Sequence, residues 1–227
     1  MTEEIRNESL MNFKDRFREF LPVVVDVETA GLEPETDAIL EVSMMTLKID
    51  EKGRFVPDEQ FSANIRPFPG SQIKKANIDF LNIDPFDESR NLVSEEDAFI
   101  PMFKAISKKL KPSGCKRAVL VGHNGHFDLG FLNAVTKRLN YKRSPFHPFS
   151  VIDTASLSMF VMGHSVLIKA CLAAGIEFDQ NKAHGAAYDT QKETELFCYL
   201  LNRYTTFCGI PEPIKIEIDY NNKKAEE

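Results

Sequence analysis

The chain has 227 residues, 43% hydrophobic and 27% charged, with a formal net charge of −6. This is ordinary globular composition, long enough to bury a full core without metal or disulfide staples. No run of 18 apolar residues occurs, so neither a membrane-spanning helix nor a membrane partner is expected. The opening MTEEIRNESLMNFKDRF is polar, with no apolar stretch to serve as a signal peptide. Cys115, Cys171, Cys198 and Cys208 lack CxxC spacing, which argues against a zinc ribbon or redox pair and suits reduced thiols in a cytoplasm.

In chain order, PVVVDVE (22–28) is a short β-branched run closed by Thr29-Ala30-Gly31 and reads as a buried strand. AILEVSMMTLKI (38–49) and RFVPDEQFSANI (54–65) read as two more, with Pro57 near a strand start or at a sheet edge. The three predict an antiparallel meander. Residues 66–93 read as loop, rich in Pro and Gly. Ser94 followed by Glu95, Glu96 and Asp97 predicts a helix start, running to about Lys111. AVLVGH (118–123) is a fourth strand, and a helix follows from about His126 to Leu139. SVIDT (150–154) is a short fifth strand leading into helical segments near 154–162 and 165–174. A long final helix is expected over Gly185–Tyr204, with Ala187, Tyr188, Leu196, Phe197, Leu200, Leu201 and Tyr204 as its inner face. IKIEIDY (214–220) alternates like a strand, before a loose NNKKAEE tail. Strands followed by alternating helix and strand predict an α/β architecture with a mixed sheet. No linker is evident, so one domain is expected over 22–210, with a basic and polar segment (1–21) before it and a polar tail (211–227) after it.

Charge is segregated. Residues 26–47 carry six acids (Asp26, Glu28, Glu33, Glu35, Asp37, Glu41) and no Lys or Arg, whereas 104–117 carry Lys104, Lys108, Lys109, Lys111, Lys116 and Arg117. Smaller basic clusters are Lys14/Arg16/Arg18 and Lys137/Arg138/Lys142/Arg143. Each alone reads as a solvated face; together they point to separate surfaces with separate jobs.

Asp26 and Glu28, two apart on a strand, face the same way. A lone pair of this kind reads most simply as solvated acids. Here it closes a buried run, where two adjacent anions repel unless a cation lies between them, and Mg²⁺ suits carboxylate oxygens. HNGHFD (123–128) puts Asp128 in the first turn of a helix, a placement worth about 0.3–1 kcal/mol from the helix dipole alone. In HGAAYD (184–189), His184 and Asp189 lie about 500° apart on an ideal helix, so they converge only if His184 lies in the loop before it. Gly185 makes that bend easy.

DVETAG, HNGHFD and HGAAYD, in that order and each at a strand–helix junction, resemble the motifs of the DEDDh family of 3′→5′ exonucleases, over residues 22 to about 205. The resemblance implies a ribonuclease-H-like fold: a five-stranded mixed sheet, a three-strand antiparallel meander plus parallel strands, flanked by helices. FKDRFREFLPVVVDVETAG, SGCKRAV, SPFHPF and KACLAAGIEFD are similar to the branch of that family that trims 3′ ends of tRNA and other stable RNAs. It further implies two Mg²⁺ per site, with Mn²⁺ as a substitute, and release of nucleoside 5′-monophosphates from RNA 3′ ends. Asp26, Glu28 and Asp189 would bind one ion, Asp26 and Asp128 the other, and His184 would be the general base. Phe80, Phe127 and Phe149 are placed for stacking on single-stranded bases. Leu32 stands where that branch has a Phe, and Ala76 where it has a Glu. Asp153 is either the N-cap of the next helix or a neighbour of the site.

Two other readings stay open. One is a proofreading exonuclease subunit acting on DNA, and single-stranded DNA is open as a second substrate in any case. The other is a catalytically inactive nucleic-acid-binding module, against which all five motif residues stand. The basic clusters precede strands one, four and five, while the acids end or follow them. If those strands are parallel, Arg16, Arg18, Lys111, Arg117 and Lys142 lie on the edge opposite the acids. Eight extended residues cover at most roughly 26–29 Å. A basic patch so placed would serve the site of a second copy, and a two-fold homodimer is expected, as the resemblance also implies.

Overall fold

The computed structural model describes residues 12–209. The apolar run after the basic opening forms β1 (Phe20–Thr29), and β2 (Ile39–Ile49) and β3 (Phe55–Asn64) complete the antiparallel meander. β4 (Arg117–Gly122) and β5 (Phe146–Asp153) add in parallel, giving the order β3-β2-β1-β4-β5. The expected mixed sheet is thus present, with β3, which contains Pro57, on one edge. β5 starts four residues earlier than SVIDT and takes in Pro148, which the other edge tolerates.

Seven α-helices are described: α1 (Phe13–Arg16), α2 (Lys75–Leu81), α3 (Glu95–Leu110), α4 (His126–Arg138), α5 (Thr154–Met162), α6 (Leu167–Ala173) and α7 (Ala186–Cys208). α3 begins where the acids predict: Ser94 Oγ accepts the Asp97 N–H at 3.1 Å and donates to the Asp97 carboxylate at 2.7 Å. α2 lies in a stretch expected to be loop. It is a short helix of about two turns with no side-chain N-cap, ended by Asn82 in the left-handed conformation. What holds it is tertiary: Ile78 and Leu81 pack on Ala30, Ala38 and Leu40. α7 runs beyond Tyr204 to Cys208. Its buried face takes in Ala186, Thr190, Glu193 and Thr194, while Ala187 and Tyr204 are exposed. The strand expected at 214–220 and the tail lie outside the described residues, as does most of the N-terminal segment.

Strand alternation divides the core into two layers. Val23, Val25 and Val27 face α3 and α4, packing with Phe99, Phe103, Phe131 and Leu132. Val24 and Val121 face the opposite way, onto Phe197 and Leu201 of α7. α6 covers α7 from outside through Ala170 and Cys171. All four cysteines are free thiols.

The β4–α4 junction has no spare room. A Cβ on Gly122 would lie 2.8 Å from the Gly125 Cα, and one on Gly125 would lie 2.9 Å from side-chain carbons of Leu120 and Val151. We expect Gly122→Ala to lower the unfolding free energy by about 1–3 kcal/mol, the usual cost of overpacking. This is read as a drop in urea midpoint at constant m; an unchanged midpoint would show that the junction relaxes freely.

Candidate active site

On β1 the parity that sends Val24 toward α7 also sends Asp26 and Glu28 there. Asp26 keeps part of its surface open, but its Oδ2 is enclosed and meets no donor among the described residues. The last β1–β4 pair is Val24 with Val121, so the strand runs on past its neighbour. The Val27 N–H beyond that point donates to Asp128 Oδ1 at 3.0 Å. Asp128 is therefore in the first turn of α4, buried, and tied to the strand that carries the other acids.

His184 lies in the loop before α7, as convergence with Asp189 requires. Its φ is +63°, a left-handed conformation that costs a non-glycine residue on the order of 1–3 kcal/mol. The His184 N–H donates to Asp189 Oδ2 at 2.9 Å, which offsets part of that cost and fixes the loop to the helix. One ligand atom each from Glu28, His184 and Asp189 lies within 4.8 Å of the others. The His184 imidazole is exposed, with its ring 4.7 Å from that of Phe80.

Burial raises the carboxyls of Asp26, Glu28, Asp128 and Asp189, and neighbouring like charge adds to it at Asp26 and Glu28. Burial, then Glu193, Asp128, Glu28 and Asp189, push Asp26 well above the ordinary carboxyl range. Burial, then Asp189, Glu41 and Asp128, raise Glu28 to about 8. Asp128 is pushed up to about 7 by burial, against the restraining Val27 N–H. Asp189 is raised by burial, against the His184 N–H and charge. Oxygens of Asp26, Asp189 and Glu193 are enclosed without donors among the described residues. Enclosed hard carboxylate oxygens that lack donors fit a divalent cation.

The expected substrate contacts are placed as follows. Phe80, on α2, is 67% exposed beside His184, and Phe149, on β5, is 73% exposed beside His147. Phe127 is half-buried against Phe131 and packs onto the core, so less of its ring is free. Leu32 is exposed in the loop after β1, and exposed Ala76 lies one turn before Phe80. Arg16 is half-buried, its guanidinium 5.4 Å from the Phe17 ring and 5.9 Å from the Tyr204 ring. Arg18 donates to the Asp15 carbonyl, Arg117 opens β4 opposite Phe20, and Lys111 and Lys142 are exposed. Lys109 is engaged by Asp58 and Glu59, Lys116 by Glu19, and Arg138 by Glu95, so these bases answer the chain's own acids. Asp153 is the N-cap of α5, and its Oδ1 also accepts the Asn124 N–H at 2.8 Å, steadying the HNG turn.

Two carboxylates of the site carry no motif. Glu41 pairs across the ladder with Glu28; its Oε1 takes Arg90 at 2.8 Å, and its Oε2 accepts the Ala186 N–H, at the head of α7, at 3.1 Å. Its signal was the hairpin register, which sets it opposite Glu28. Glu193 is buried one turn beyond Asp189 on the same helix face, inside a stretch, QKETE, whose charges read as solvated.

Residues 23–197 match the RNase_T family, described as exonuclease. Ribonuclease T of Citrobacter koseri is 47% identical over 211 residues, spanning 93% of this chain and 98% of that protein. Ribonuclease T of Shewanella oneidensis is 48% identical over 198 residues, spanning 87% and 89%. E. coli Exonuclease I in complex with a dT13 oligonucleotide superposes with a TM-score of 0.62 at 16% identity, over 82% of this chain and 42% of that one. A full-length 3′-exonuclease gives 0.60 at 16% identity, over 88% and 93%. These neighbours share the ribonuclease-H-like fold, and divalent-metal dependence follows from the family and the acidic centre. The chain belongs to the RNase_T exonuclease family, and its activity is that of a 3′→5′ exoribonuclease.

Proposed function

We propose that the protein trims the 3′ ends of tRNA and other stable RNAs with two Mg²⁺, working as a homodimer. The observation that carries the catalytic reading is the convergence of Glu28, His184 and Asp189 from β1, the loop before α7 and α7 itself. Asp26, Glu28 and Asp189 would hold one ion, and Asp26 with Asp128 the other. Bound there, the ions would supply the positive charge that in-line displacement at phosphorus needs. His184 takes the proton of the attacking water: its ring is exposed, and its backbone is held by Asp189, so the imidazole is presented in one place. Phe80 forms one wall beside that imidazole and offers a face for the terminal base, with Phe149 a second exposed ring.

The homodimer is supported by the parallel strands. Arg117 stands at the start of β4 beside Phe20, and Asp26 is six residues further along β1, about 20 Å away at strand rise. Arg16, Arg18, Lys111 and Lys142 precede the same strands, so these bases and the acids occupy opposite ends of the sheet.

End-labelled tRNA, oligo-RNA and oligo-DNA should separate the readings: shortening of tRNA 3′ ends with Mg²⁺ and none with EDTA is expected. Digestion of DNA alone would overturn the substrate assignment. Asp26→Asn should lose hydrolysis while folding normally. His184→Ala should lose about 10²–10⁴ in turnover, keep its RNA affinity, and recover partly at higher pH.

Without metal, Glu28 and Asp128 hold protons more tightly in the folded chain than in the unfolded one. The stability they contribute is complete below about pH 4 and is lost as pH rises through about 7–8. The thermal midpoint in EDTA should therefore fall between about pH 5 and pH 8, and saturating Mg²⁺ should flatten the slope. A midpoint that climbs with pH in EDTA would contradict the crowded acidic centre.

Asp26→Asn mixed with a triple variant of Arg16, Arg18 and Arg117 to Ala should recover about a quarter of native activity after subunit exchange, because half the dimers are mixed and each restores one site of two. No recovery despite proven exchange would mean that the patch serves its own protomer.

A further inference from the structure

Glu193 is 2% exposed, as enclosed as the core phenylalanines. Its Oε1 accepts the His123 N–H at 3.2 Å, at the end of β4. Its Oε2 is buried and meets no donor among the described residues. The charges that act on it are carboxylates: Asp128, then Asp189 and Asp153. In turn, Glu193 acts on Asp26 more strongly than any other charge does. No lysine or arginine of the described chain neutralises this group.

A residue needed only for packing at this point would leave no enclosed acceptor unpaired. Burying an unpaired carboxylate costs several kcal/mol, and one backbone N–H does not compensate it. Asp26 Oδ2 is likewise enclosed and without a donor. Glu193 is not one of the Glu28–His184–Asp189 trio; the charge that acts on it most is Asp128, and it is in turn the charge that acts most on Asp26. We infer that Glu193 is a fifth carboxylate of the divalent-cation centre, supplying negative charge at the Asp26–Asp128 position while its other oxygen anchors the HNG turn. The inference rests on reading the acidic centre as a metal site, and the experiment separates the two.

The measurement is Mn²⁺ and Ca²⁺ binding to the full chain by calorimetry, without RNA. The wild-type chain should bind two ions. Glu193→Gln keeps the volume and an acceptor for the His123 N–H but removes the charge. It should bind one of the two ions about tenfold more weakly and leave the other within about twofold. Glu193→Asp, which keeps the charge, should stay within about threefold of wild type at both positions. If Glu193→Gln binds both ions as wild type does, Glu193 is a neutral core acid and the inference fails. If Glu193→Asp weakens binding as much as Glu193→Gln, shape rather than charge matters and the inference also fails. If the wild-type chain binds no ion, the metal reading of the whole centre falls, and the role of Glu193 with it.

Discussion

Asp26, Glu28, Asp128, Asp189 and Glu193 crowd the end of β1 and the head of α7, most of them out of reach of solvent, with no lysine or arginine among them. Like charges in a poorly solvated space repel strongly, and a fold that assembles them must hold them by other means. It does so with backbone donors: Val27 to Asp128, His184 to Asp189, His123 to Glu193 and Ala186 to Glu41. Each of these bonds also joins two segments distant in sequence or fixes a loop to a helix. The electrostatic tension of the site and the connectivity of the fold are thus settled by the same contacts.

Those donors are available because of where the strands stop. β4 ends its pairing at Val121, so β1 projects beyond it with a free N–H for Asp128. The antiparallel β1–β2 ladder sets Glu41 opposite Glu28, and Arg90 then holds Glu41 in place for the head of α7. Tight glycines at Gly122 and Gly125 let the chain turn from β4 into α4 within the space left over. Sheet topology, rather than any one helix, brings four separate segments to one point.

Much of this was legible in the residues. Period-two alternation in VVVDVE put Asp26 and Glu28 on one face, and Gly185 allowed the bend that sets His184 beside Asp189. Ser94 and its following acids marked the start of α3. α2 was not legible, since a seven-residue helix without a side-chain cap owes its existence to Ala30, Ala38 and Leu40, which lie far away in sequence. Glu193 sits in QKETE, which reads as a solvated charged stretch; only the packing of α7 on the sheet reveals that this glutamate points inward. Phe127 looked like its exposed counterparts because a sequence does not say which ring Phe131 will cover.

The two outermost strands share one property. β3 carries Pro57 followed by Asp58 and Glu59, and β5 carries Pro148. A proline lacks the amide hydrogen that a neighbouring chain would bond. Neither rim of the sheet therefore offers an unbroken template for strand-by-strand growth. This guards the sheet against runaway edge-to-edge growth into fibrils.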